Sequence, residues 1–256
     1  MVKGVCGARP RCTLCDAPRR AALALGHGRG RGPPVAWPWH AKVDIALYAE
    51  ALCPYCASYL ATKAESLAHD YADIARLRLV PWGNARASPN GTVVCQHGEA
   101  EVGGGEGMKG APRSPSRAGH PDYSPQCALN RLYACLIDAE PVNWLPVVAC
   151  ASGRYPDVDA AFDKCARRAG VNATAARACA AGKRGAALES AAMRDTDALI
   201  PAHAYVPWIV VDGLALGGAA DAAGVVACAA WGGARPPVCA RAPPGNDGWS
   251  VAAAAA

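Results

Sequence analysis

From Val43 to Tyr48 the chain reads VDIALY, which sets Val43, Ile45 and Leu47 on one face and Asp44 and Tyr48 on the other. That period of two predicts a strand. Pro54 then suits the first turn of a helix, where its missing N–H costs nothing. Leu60, Ala64, Leu67 and Tyr71 continue as a helical stripe. ARLRLV (Ala75–Val80) alternates again, with Leu77 and Leu79 opposite Arg76 and Arg78. The middle of the chain, from about Trp82 to Ala204, opens on turn chemistry (NARASPNG) and carries a Gly/Pro/Ser-rich stretch from Val102 to Gln126. Two helices are predicted after it, one on Leu129, Leu132, Tyr133 and Leu136, the other on Val158, Ala161, Phe162 and Cys165. The last section returns to sheet. Trp208–Val211 is a continuous apolar run ending in Asp-Gly, as expected of a strand buried on both faces and followed by a hairpin turn. LALGG is the candidate for the next strand, and Asp221–Trp231 for a closing helix.

Charge divides the chain unevenly. The net charge is +5, but residues 1–42 hold eight Lys/Arg against one acid, so the rest is mildly acidic. Residues 1–42 read as a disordered basic leader, and no aromatic-interleaved basic patch follows, which argues against nucleic acid as a partner. No apolar run is long enough to span a bilayer. The AALALG stretch is too short for the apolar core of a signal peptide, so the expectation is that the leader is wrongly assigned or the true start lies elsewhere.

Thirteen cysteines change the picture. Ten are scattered through the body of the chain, an even number that suggests an oxidising compartment. Sequons at Asn90 and Asn172 agree, as glycosylation candidates. One pair stands apart: Cys53 and Cys56 form a C-x-x-C between strand and helix. A zinc site would need a second ligand pair. Cys12 and Cys15 could offer one, but thirty-seven residues separate them from Cys53, well beyond the usual gap of roughly 12–20, and no metal is expected. A redox centre explains more. The unpaired N–H groups and positive dipole end of a helix N-terminus stabilise a thiolate, making the first cysteine an accessible nucleophile and the second its resolving partner. Such a centre also wants a proline facing the pair from a remote strand, and Val206-Pro207 directly precedes the buried run.

With these residues the chain resembles the gamma-interferon-inducible lysosomal thiol reductase family, which joins a thioredoxin-like CxxC to the signature C-Q-H-G-x-x-E-C-x-x-N-x-x-x-x-C. Cys95-Gln96-His97-Gly98-Glu99-Ala100-Glu101 matches its first part, and Cys127, Asn130 and Cys135 match its second. The similarity runs over roughly residues 43–231, through Cys150, Cys165, Cys179, HAYVPWIVVDG and Cys228. Residues 102–126 split the signature and are expected to be disordered, either a surface loop or a retained intron carried into the translation.

The resemblance implies an α/β, thioredoxin-like fold over residues 43–239, with a mainly helical, disulfide-containing insertion over about 83–204, and a flexible tail at 240–256. It implies a thiol–disulfide reductase acting on disulfide-containing proteins in a lysosome, vacuole or secretory compartment. Cys53 would attack, Cys56 resolve, and Val206 and Pro207, joined by a cis bond, contact the substrate. A small thiol would regenerate the pair without an organic cofactor. His97 is a candidate auxiliary acid–base group or a residue that shapes a turn. Cys95, Cys127, Cys135, Cys150, Cys165, Cys179 and Cys228 are structural half-cystines, with Cys165 and Cys179 a plausible local pair. Two alternatives stay open: an oxidase or isomerase on the same fold, and a non-catalytic, disulfide-rich secreted binding protein.

Overall fold

The computed structural model describes residues 41–89, 93–97, 125–154 and 157–241. They all belong to one compact unit of the chain, Trp39–Ala256. The leader, the Asn90 sequon and residues 98–124, which hold most of the stretch that splits the signature, lie outside the described residues.

The alternating segments form the expected strands. β1 (Val43–Ala49) pairs in parallel with β2 (Ala75–Pro81), in a register that sets Val43 opposite Ala75 and Ala49 opposite Pro81. β5 (Trp208–Val211) pairs antiparallel to β1, and β6 (Leu214–Ala215) antiparallel to β5, giving the order β2-β1-β5-β6. Asp212 and Gly213 turn the β5–β6 hairpin with φ of 46° and 84°. Two successive positive φ values make the two-residue turn whose twist suits a hairpin, and Asp-Gly tolerates them. A separate two-stranded ribbon joins β3 (Arg86–Ala87) to β4 (Val93–Val94).

Between β1 and β2 the chain runs through α1 (Pro54–Tyr59), a π-helical turn (Leu60–Ala64) and α2 (Glu65–Asp70). Both faces of the sheet are covered. Ile45, Leu47, Ile209 and Val211 pack with Cys56, Leu60, Leu136 and Phe162 in the main core, whereas Ala46, Tyr48, Val80 and Trp208 pack with Trp82 and Ala192 on the other face. Asp44, on that second face, is held by Arg76 and Arg78.

Among the described residues, five helices, not two, lie between the ribbon and β5: α3 (Pro125–Ala139), α4 (Trp144–Ser152), α5 (Val158–Arg168), α6 (Ala173–Ala180) and α7 (Lys183–Asp197). α4 escapes periodicity because seven of its nine residues are buried, so it has no polar face to set a rhythm. A 3₁₀ segment (Gly217–Ala222), α8 (Ala223–Ala230) and α9 (Pro237–Arg241) complete the described chain. Two expected boundaries shift. Pro125 and Gln126 belong to α3 rather than to a loop, and Ala240–Arg241 end a helix rather than begin a tail. A parallel β1–β2 unit, an antiparallel β5–β6 hairpin and a CxxC at the head of the first helix make this an α/β, thioredoxin-like fold.

Among the described residues four disulfides tie it: Cys95–Cys127, Cys135–Cys179, Cys150–Cys165 and Cys228–Cys239. All seven expected half-cystines are bonded, and Cys239 joins them. The local Cys165–Cys179 pair does not form. α5 packs along α4 and brings Cys165 to Cys150, while α6 packs along α3 and brings Cys179 to Cys135, so helix pairing overrides nearness in sequence.

Candidate active site

Cys53 and Cys56 are the free cysteines among the described residues. Cys53 caps α1 in an extended conformation, and Pro54 follows at the first helical position. Its Sγ accepts the Cys56 backbone N–H at 3.4 Å, and its carbonyl starts the helix by accepting from Ala57 N at 3.0 Å. A cysteine here takes the place of the usual Ser or Asp cap, so an N–H the helix cannot satisfy points at sulfur.

Two forces act on this sulfur. Hydrogen bonding from the Cys56 thiol and then from the Cys56 N–H favours the thiolate, while burial and the charge of Glu50 oppose it; the balance lowers the Cys53 pKa from 9.0 to about 7. Cys56 is 0% exposed, and burial pushes its thiol strongly upward. The pair therefore divides into one sulfur that ionises and one that stays protonated.

Val206–Pro207 is cis, as expected. The Val206 carbonyl stands 3.9 Å from Cys53 Sγ, so the residue before the proline reaches the attacking sulfur across the fold. Val206 and Pro207 line one wall of an open groove of about 470 Å³, Tyr55 and Tyr59 another, and Gly217–Gly218 its far side. Tyr59 Oη donates to Ala220 O at 3.2 Å, and Lys63 meets Asp221 at 3.3 Å, which fixes the 3₁₀ segment beside α1. Tyr55 is 75% exposed at the groove mouth.

The divided signature converges on the residues just before Cys53. Asn130 Oδ1 accepts from Ala51 N at 2.8 Å and its Nδ2 donates to Trp82 O at 3.2 Å. Gln96 bonds Asn84, whose backbone N donates to Glu50 Oε2 at 2.9 Å. His97 Nε2 lies 3.1 Å from Glu50 Oε1, and His97 N donates to Gln126 Oε1 at 2.7 Å. Gln126, at the place the signature gives to the glutamate before its second cysteine, also donates to Glu50 Oε2 at 3.1 Å. The Cys95–Cys127 disulfide locks this arrangement from behind. His97 thus has a charged partner, and the turn reading alone does not describe it.

Glu50 is the functional candidate that sequence reasoning missed. A lone acid in the apolar run YAEALC, three residues before the pair, was the available signal. Asn172, the sequon inside the described residues, is exposed and caps α6 by accepting Thr174 N at 2.9 Å through Oδ1. Among the described residues no group of three or more His, Cys, Asp or Glu could hold a metal ion, and no helix is long and apolar enough to cross a membrane.

Comparison with known proteins agrees with this geometry. A family profile described as "Gamma interferon inducible lysosomal thiol reductase (GILT)" matches residues 44–105. The goldfish (Carassius auratus) "Gamma-interferon-inducible lysosomal thiol reductase" is 30% identical over 67% of this chain and 60% of its own. The mouse (Mus musculus) protein of that name is 26% identical over 88% of this chain and 87% of its own. The Arabidopsis thaliana "Gamma-interferon-responsive lysosomal thiol protein" is 29% identical over 67% and 62% respectively. The chain thus spans about three fifths of the goldfish and plant relatives. A crystal structure from Nitrosomonas europaea assigned as a protein disulfide isomerase superposes with a TM-score of 0.46 at 16% identity, over 67% of this chain and 85% of that one. With its CxxC, cis-proline and signature residues gathered at one place, the chain belongs to the gamma-interferon-inducible lysosomal thiol reductase family.

Proposed function

We propose that the protein is a thiol–disulfide reductase that opens disulfides of protein substrates. The observation that carries the reading is the unequal pair at the head of α1: a Cys53 sulfur with its pKa lowered to about 7 beside a buried Cys56 thiol. Cys53 thiolate attacks a substrate sulfur and releases the first substrate thiol. Cys56 then attacks Cys53 Sγ, releases the second thiol and leaves the Cys53–Cys56 disulfide. A small thiol reduces that disulfide to close the cycle. Val206 and Pro207 hold the substrate chain along the groove wall.

Family membership supports an acidic or secretory site of action, as do four disulfides, which persist in oxidising compartments. In that setting Asn172 is an acceptor for glycosylation. The lowered pKa matters most in acid. At pH 5 a thiol of pKa about 7 is thiolate in about one molecule in a hundred, against about one in ten thousand at 9.0.

The test is turnover of a denatured, disulfide-containing protein with a small thiol as electron donor, at acid and at neutral pH. The reading expects multiple turnovers that need both Cys53 and Cys56. Net formation of substrate disulfides under the same thiol poise would assign the protein to the oxidases and isomerases instead. A protein whose Cys53 resists alkylation after mild reduction, and which turns over nothing, would be a non-catalytic binding protein.

A further inference from the structure

The groove beside Cys53 carries more aromatic surface than thiol–disulfide exchange requires. Tyr55 follows Pro54 inside the C-x-x-C, and most of its ring stands in solvent at the groove mouth. The first turn of a helix asks for no aromatic residue there, and tyrosine is only a middling helix former. Its backbone N–H favours the Cys53 thiolate, so the ring starts from a backbone held beside the attacking sulfur.

Tyr205 brings a second ring to the same groove. It immediately precedes Val206, whose carbonyl stands 3.9 Å from Cys53 Sγ. Its ring meets Trp208 edge-on, with centroids 5.3 Å apart and planes at 72°, and Trp208 is buried. Tyr205 nonetheless stays 42% exposed. One ring is therefore braced on one side and open on the other, while Tyr55 stacks on no other ring among the described residues. Tyrosine suits such a place, because its large contact surface is ordered at the cost of only two side-chain torsions.

Charge does not compete with these rings. Lys63 and Asp221 are the charged side chains that line the groove, and they meet each other at 3.3 Å. An acidic or basic group entering the groove finds no uncompensated opposite charge. What the groove offers is ring surface.

We propose that Tyr55 and Tyr205 form an aromatic clamp that selects substrates by the residue next to the half-cystine. Disulfides flanked by an aromatic or large aliphatic side chain are the favoured class. The inference rests on the reductase reading above and names a preference within it. In the mixed disulfide the substrate sulfur is bonded to Cys53 Sγ, and the chain that carries it passes Val206. The side chain next to that half-cystine then comes within reach of rings two places after Cys53 and one place before Val206. Ring contact of this kind, added to the apolar area removed from water, is worth a few-fold to about tenfold in affinity. Because the contact is already made when Cys53 attacks, it raises kcat/KM for the favoured class.

Disulfide-linked dimers of the short peptides Gly-Cys-X-Gly and Gly-X-Cys-Gly test this, with X as Phe, Leu, Gly, Glu or Lys. The full-length protein turns them over with a small thiol as electron donor. Each rate is divided by the uncatalysed rate of the same dimer, which removes differences in intrinsic reactivity. In at least one of the two series kcat/KM for Phe should exceed that for Gly by about tenfold, with Leu between and Glu and Lys no better than Gly. Tyr55→Ala and Tyr205→Ala should each bring that ratio down to about threefold or less, while Tyr55→Phe and Tyr205→Phe keep it. A ratio taken on one protein cancels any loss of folded fraction or of Cys53 reactivity, so a merely structural role would not move it. Should Tyr205→Ala fold poorly, Tyr55→Ala, at an exposed position, decides alone. The inference is overturned if the wild-type protein treats Phe and Gly dimers alike, prefers a charged neighbour, or keeps its preference in either alanine variant. Turnover of every dimer at one rate leaves the reductase reading standing without the clamp. Turnover of none removes that reading and the clamp with it.

Discussion

The head of α1 and the paired helices α4 and α5 each hold two cysteines, yet the two regions treat them oppositely. Cys150 and Cys165 sit on packed helices, where neither stands at a helix N-terminus, and they close a bond that staples the two together. Cys53 and Cys56 sit at a helix start, where an amide N–H meets one sulfur and burial protects the other. The backbone decides which pair is structural and which is reactive. In the first region apolar packing is the chemistry; in the second, the helix end supplies a donor that packing would otherwise leave unsatisfied.

Breaking the reactive pair should give the largest effect. Cys53→Ser should reduce turnover to the uncatalysed background. Cys56→Ser should keep the first attack and accumulate a covalent adduct with a disulfide substrate, visible as a reducible shift in mass. An adduct formed by Cys53→Ser instead would exchange the two roles. Breaking the structural pair should do the reverse. Replacing Cys150 and Cys165 together by Ala opens a bridge of sequence separation 15. A closed loop of that size is worth about 3 kcal/mol, so denaturant unfolding should shift markedly while turnover per folded molecule stays within about twofold. A parallel loss of turnover would show that the staple also shapes the site.

A smaller effect is expected where the regions meet. Asn130 bonds both Ala51 N and Trp82 O, and Asn130→Ala should cost about 1–3 kcal/mol by leaving those buried groups unpaired. Unfolding curves with an unchanged midpoint would contradict this. The smallest expected effect is a matter of sign. The Glu50 pKa is raised by burial, so the stability contributed by its protonated form is fully present below the unfolded value of 4.5 and is lost as pH rises through the folded value. Glu50→Gln should thus be the more stable protein at neutral pH and lose that advantage in acid. Urea unfolding at the two pH values checks it, and a variant that is less stable at neutral pH would be the contrary result.

Several parts of this arrangement could be read from the sequence because each was local. The alternation over Val43–Tyr48, the run Trp208–Val211 before Asp-Gly, and Pro54 inside the C-x-x-C each state their conformation within a few residues. The disulfide map could not be read, since Cys165 finds Cys150 only through the packing of α5 on α4. Nor could α4, whose burial on all sides erases the helical period. α6 and α7 are rich in alanine and present only faint stripes. Glu50 was visible as a residue but not as a site. Its meaning comes from Asn84, His97 and Gln126, which lie 34 to 76 positions away and meet it only in the fold.

The central claim is that one sulfur among the ten of the body is an activated nucleophile. Alkylation of the mildly reduced protein across a pH series, read residue by residue by mass spectrometry, tests it directly. The account predicts labelling of Cys53 with a midpoint at about pH 7, Cys56 unlabelled over the same range, and no label on the eight bonded cysteines. Labelling that begins at Cys56, or a Cys53 that reacts no more readily than an ordinary thiol of pKa 9.0, would contradict it.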